Sequence, residues 1–146
     1  MNKFVLLAFL LIPFAGMAEE QGITGLTAHD IVDNRTILDL STRMKHRLLA
    51  NMREQLVATR AIIGLLAQDN FERASSTART KLGMTEDLKQ VYDAANNEDL
   101  KKLGMAANTS ANELAKTLQT KDLKQSLQAL RKTLGNCVQC HKMFRQ

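Results

Sequence analysis

Residues 121–146 read KDLKQSLQALRKTLGNCVQCHKMFRQ. Leu123, Leu127, Leu130 and Leu134 recur at three- and four-residue spacing, which lines them along one side of an α-helix. Cys137, His141 and Phe144 continue that stripe, so the run Cys137-Val138-Gln139-Cys140-His141 is expected to face the interior. Two cysteines three residues apart, with histidine directly after the second, form the attachment signature for haem. The spacing has a chemical reason. Thioether bonds from Cys137 and Cys140 take the two vinyl-bearing edges of the ring. His141, beside the second anchor, is then delivered to the iron from one face as the proximal ligand. Such a bond is irreversible, so one haem c per chain would stay with the protein after export.

Three other uses of the pair agree less well with the surroundings. A dithiol redox motif normally opens a helix after a strand, and no strand-like stretch precedes it. A zinc site lacks a fourth ligand and a second Cys/His pair. A disulfide within one helical turn has poor geometry. The chain has no other cysteine, which fits thioether formation in an otherwise oxidising compartment.

Working back along the chain, helical periodicity covers nearly everything. A long first helix is expected from Thr36 to Ala67. Its apolar side carries Ile37, Leu38, Met44, Leu48, Leu49, Met52, Leu56, Ile63 and Leu66, with Asp39, Arg43, His46, Arg47, Arg53, Glu54 and Arg60 opposite. Gln68-Asp69-Asn70 breaks it, and Asn70 suits the N-cap of a second helix over Phe71 to Leu82. Gly83 is placed as its C-terminal stop. A shorter helix follows over Thr85 to Ala95. The third long helix runs from about Glu98 to Leu118, and the fourth from near Lys121 to the chain end. No stretch alternates with period two and is rich in β-branched residues, so strands are not expected. Short connections between amphipathic helices imply an all-α, antiparallel, up-down four-helix bundle.

The other end of the chain reads as a targeting segment. Lys3 opens it, Phe4 to Phe14 is almost wholly apolar, and Gly16 and Ala18 stand three and one before a cut ahead of Glu19. That is the layout of a cleaved secretory signal over residues 1–18, too short to span a bilayer. A single domain over 19–146, in the periplasm, is expected, with no stable membrane insertion. Residues 19–33, with Gly22 and Gly25, read as a lead-in. Beyond the signal there is no proline, and Phe71, Tyr92 and Phe144 are the only aromatics. So few large side chains make a thin core, which a buried planar group would fill. Loss of Lys3 lowers the formal charge of +5 by one, and two propionates would roughly halve the rest. Basic residues alternate along the sequence with acids and amides, without aromatic interleaving. Nucleic-acid binding therefore has little support, and a weak preference for acidic protein partners is the most the charge implies.

With the attachment motif at the extreme C-terminus, followed by Lys142-Met143-Phe144-Arg145, the chain resembles the class II cytochromes c. These are cytochrome c′ and its low-spin, methionine-ligated relatives. The resemblance covers most of residues 36–146 and is specific at the C-terminal motif; residues 83–98 form a shorter link than the family's usual one. In low-spin members a methionine of the first helix is the second axial ligand. The resemblance places that role on Met52, in Met52-Arg53-Glu54-Gln55, by spacing to the loop at 68–70. Met52 also lies mid-stripe, whereas Met44, about 12 Å earlier along the axis, lies toward its edge. An ordinary packing role for both methionines is the rival. In the five-coordinate branch an apolar residue blocks an open iron site, and Leu48 is the candidate for that.

His46 and His29 read as solvated, and Met84, Met105 and Met143 as packing. Lys45 lies within the inward stripe. Ala107, Ser110 and Ala111 are small enough to let a flat ring approach the third long helix. These features point to a one-electron carrier and not an enzyme, working with redox partner proteins, with homodimer formation left open. A five-coordinate protein binding nitric oxide or carbon monoxide is the alternative, and a haem-bearing subunit of a larger enzyme a third possibility.

Overall fold

The computed structural model describes residues 33–146; the proposed signal, its cleavage after Ala18 and His29 lie outside the described residues. Residues 34–146 form one compact unit. In chain order its elements are β1 (Thr36–Ile37), α1 (Thr42–Leu66), α2 (Phe71–Thr77), α3 (Glu86–Ala94), α4 (Glu98–Leu118), α5 (Leu123–Met143) and β2 (Phe144–Arg145). The long helices α1, α4 and α5, with α2 as the fourth member, make the bundle, and α3 lies in the α2–α4 connection. Each helix begins at a side-chain cap, which accepts an otherwise orphaned amide. Ser41 takes the Met44 amide, Asn70 that of Arg73, Thr85 that of Leu88, Asn97 that of Leu100 and Asp122 that of Gln125.

Three boundaries differ from the periodic reading. The first helix starts at Thr42, because Ser41 caps it and the segment before it is extended. There Leu38 and Leu40 are buried with Asp39 outward, a period of two. Thr36 and Ile37 pair in parallel with Phe144 and Arg145, so a short strand pair exists where no strand was expected. The last helix accordingly stops at Met143. The third difference is in the second helix, which leaves α geometry over Ala78–Leu82 for a wider π turn. The Gly83 amide reaches back to the Ala78 carbonyl at 3.0 Å. Gly83 does end the helix, in an extended conformation (φ −65°, ψ 169°) and not the left-handed one. A Cβ there would collide with the Arg79 carbonyl, so this close passage requires glycine.

Two apolar clusters form the core. One joins Ile62 and Leu66 of α1 to Phe71, Leu114, Leu118 and Leu130. The other joins Leu38, Leu40 and Leu48 to Tyr92, Leu100 and Phe144. A buried polar set lies between their helices. The Tyr92 hydroxyl donates to Asn108 Oδ1 at 3.1 Å, and Asn108 Nδ2 donates to the Leu82 carbonyl at 2.7 Å. The Tyr92 ring lies against Gly104, whose missing side chain makes the space for it.

Gly104→Ala drives a methyl into that ring and should cost about 1–3 kcal/mol of stability, read as a lower denaturation midpoint. Burial, with a smaller contribution from the neighbouring cysteines, pushes the Tyr92 hydroxyl up to about 12 from 10.0. Below pH 10 both folded and unfolded chains keep this tyrosine neutral. Between pH 10 and 12 the unfolded chain ionises first, so stability should fall as pH rises. Comparing urea midpoints of wild type and Tyr92→Phe across that window isolates the effect. The two curves should converge as pH rises, because the variant lacks this share of the loss.

Candidate functional site

The site is built by α5 lying along α4 while α1 lies against α2. α1 and α5 barely approach one another, and a cleft separates them. One residue before Cys137, the Asn136 amide donates to Ser110 Oγ at 3.0 Å and to the Ala106 carbonyl at 3.3 Å. These bonds fasten α5 to α4 and fix the rotation of α5. Cys140 is then turned inward and buried, Cys137 is half-buried, and His141 stands exposed in the cleft. Both cysteines are free thiols, and burial pushes each above the ordinary thiol range, so they stay protonated at neutral pH.

The turn carrying His141 is also held from behind. Arg35 donates to the His141 carbonyl at 3.2 Å, and the Leu38 amide donates to the Arg145 carbonyl at 2.9 Å. Each of the buried leucines 38 and 40 contributes about 1.5–3 kcal/mol by burial, against about 0.5–1.5 kcal/mol for a backbone hydrogen bond. The leucines therefore hold this arm down, and the strand pairing sets its register.

Two cavities occupy the cleft. One, of about 130 Å³, lies between Met52, Gln55, Leu56 and Thr59 of α1 and Thr133, Leu134, Cys137 and His141 of α5, over a floor including Leu82 and Asn108. The other, of about 330 Å³, is bounded by Leu38, Leu49, Leu100, Cys140 and Phe144, among others. Met52 and His141 line both. Together the two volumes lie within the range of small-molecule and cofactor sites, about 300–1,000 Å³. A larger groove between α1 and α2, about 530 Å³, is walled by Arg53, Val57, Arg73 and Thr80 and holds no sulfur or imidazole. Size does not select the site; donor chemistry does.

The remaining candidates fall elsewhere. Met44 packs against the second apolar cluster, as Met52 also does, but lines neither cavity, and Leu48 is buried within that cluster. Leu56 and Leu49 are the aliphatic side chains of α1 that reach the cavities. His46 is exposed and Lys45 half-buried. Met84 packs as expected, but Met105 and Met143 are exposed. Ala107 lines the cleft, Ala111 is in the core, and Ser110 serves the α4–α5 clamp. Asn108 was missed. Its signal was a polar residue on an otherwise small and apolar helix face, four residues after Gly104. Among the described residues no group of three or more His, Cys, Asp or Glu side chains converges as a metal cluster would require.

The chain matches the profile of the family described as Cytochrome C' over residues 41–145. No curated protein and no solved structure matches it. Members of that family bind covalent haem c. The donor set here fits such a group: two free thiols one helical turn apart, an imidazole and a thioether on both cavities, and a largely apolar wall. With the match spanning most of its length, the chain belongs to the cytochrome c′ family.

Proposed function

We propose that this protein is a periplasmic one-electron carrier. Cys137 and Cys140 would hold a single haem c, and His141 and Met52 would be the residues that ligate its iron. One observation carries the reading: Met52, and not Met44, lines with His141 both cavities of the cleft. When bound, haem supplies a one-electron ferric/ferrous couple. The chain's own residues do the rest. The two thiols would anchor the ring at adjacent positions, while Arg35, bonded to the His141 carbonyl, and Arg145 Nε, bonded to the Arg35 carbonyl, steady the turn that follows His141. A methionine sulfur favours the ferrous state and raises the potential. Asn108, already bonded to Tyr92 and Leu82, offers the cleft a polar group with its main partners filled.

The same reading makes the protein a carrier and not an enzyme. Export rests on the apolar segment at 4–14 and the small residues Gly16 and Ala18 ahead of Glu19. No helix among the described residues is long and apolar enough to cross a membrane.

Attachment is tested by haem staining after denaturing electrophoresis. Cys137→Ala or Cys140→Ala should weaken the stain, and the double replacement should abolish it; full-strength staining of the double variant would sink the attachment. The axial ligand is tested by spectroscopy. The ferric protein should show the near-infrared sulfur-to-iron charge-transfer band, and the reduced protein should bind carbon monoxide poorly. Met52→Ala should lose the band and admit carbon monoxide, while Met44→Ala should keep it. A native protein already high-spin and indifferent to Met52→Ala would put the five-coordinate gas-binding reading in its place.

A further inference from the structure

Basic residues alternate with acids along the sequence, but the fold sorts them. α1 carries Arg43, Lys45, Arg47, Arg53 and Arg60 against the single carboxylate Glu54. α5 carries Lys124, Arg131, Lys132 and Lys142 and no carboxylate. Residues 71–118, which make the rest of the bundle, hold seven basic and seven acidic side chains. The positive charge is therefore concentrated on the two helices that flank the cleft. Local pairing does not remove it. Arg47 meets Asp87 and Glu54 meets Lys81, but the other basic residues of α1 and α5 form no ion pair among the described residues.

Within this charge lies an apolar band. On α1, Leu56 lines the cleft yet is 71% exposed, and Ile63, two turns further along the same row, is 51% exposed. On α5, Leu134 lines the cleft, and Leu127 and Val138, on the same side one to two turns away, are 48% and 53% exposed. Arg60 stands one turn from Leu56, Arg131 one turn from Leu127, and Lys142 one turn from Val138. The mouth of the cleft is thus an apolar strip edged by unpaired cations.

We propose that this mouth is the docking surface for an acidic redox protein, one that presents an apolar patch ringed by carboxylates. The inference rests on the electron-carrier reading above. A second copy is disfavoured as the occupant, because it would oppose two surfaces of the same high positive charge. A cationic rim around an apolar centre suits a transient redox encounter. The charges steer the approach and speed it about 10- to 1,000-fold, and the apolar strip gives a contact that forms and releases.

The test uses haem-loaded, ferrous protein, which gives one electron to each of two oxidants. Ferricyanide is anionic and becomes ferrocyanide; tris(phenanthroline)cobalt(III) is cationic and becomes the cobalt(II) complex. Oxidation by ferricyanide should slow with added salt, and oxidation by the cobalt complex should quicken. The triple variant Arg60→Glu/Arg131→Glu/Lys142→Glu should lower the ferricyanide rate about tenfold at low salt and raise the cobalt rate. The triple Arg79→Glu/Lys102→Glu/Lys116→Glu makes the same net change on the π turn after α2 and on α4, and should leave both rates within about twofold. Polyglutamate should bind the wild type, by calorimetry, and not the first triple. Circular dichroism of both triples controls for folding, and the single variant Arg131→Glu should give a smaller change of the same sign should the first triple fail to fold. Equal effects of the two triples would overturn the proposal. So would binding to phosphatidylserine vesicles or to DNA, abolished by the first triple, with no binding of polyglutamate. Failure of the carrier reading shows separately, as a high-spin native spectrum that is independent of either triple. A methionine-ligated spectrum with equal triples sinks the docking surface alone.

Discussion

The side-chain amide of Asn108 is almost wholly buried, and the floor of the cleft depends on it. A buried amide without partners costs about 1–3 kcal/mol. Here its oxygen receives the Tyr92 hydroxyl and its nitrogen donates to the Leu82 carbonyl. That carbonyl is available because Leu82 is the last residue of the helical run, and the final carbonyls of a helix have no intrahelical amide to accept from. One side chain of α4 therefore joins α3 to the end of the π turn that follows α2, and forms part of the cleft floor. Gly104 and Gly83 belong to the same arrangement, since a Cβ on the first would enter the Tyr92 ring and one on the second would meet the Arg79 carbonyl.

From that centre the bundle divides into two pairs. α5 is clamped to α4 through Asn136, and α1 rests on α2 through Ala58, Ile62 and Leu66. Between the pairs the walls are apolar but unfilled by side chains, which is the shape a flat group needs. The thin core read from the scarcity of aromatics is the same fact seen from the sequence.

Much of this was legible. The span Glu98–Leu118 of α4 follows its leucines and Asn70 acts as the N-cap it resembles, whereas the α5 stripe read as inward is only partly so: Leu130 and Phe144 are buried, but Leu123, Leu127 and His141 are exposed. What periodicity could not separate was core from cleft wall, because both faces need apolar side chains. Hence Leu56 and Ile63, read as inward, are exposed, while Ala58 and Ile62 carry the core side of α1. The arm before α1 was hidden because its partner lies more than a hundred residues away and a two-residue strand is too short to show a period. Segregation of charge was invisible for a related reason: alternation along a sequence says nothing about which helices end up side by side.

The strand pair has a consequence for the order of events during synthesis. Arg35 and His141 are separated by 106 positions, and Arg145 follows four residues later, so the arm can be seated only after nearly the whole chain has emerged. Contacts of such long range carry a large loop-closure entropy and form late. The helices can pair locally before the arm is fastened to the turn that follows Cys137, Cys140 and His141. Closure of the arm then follows assembly of the helices, and without Phe144 and Arg145 the arm loses the partner that sets its register.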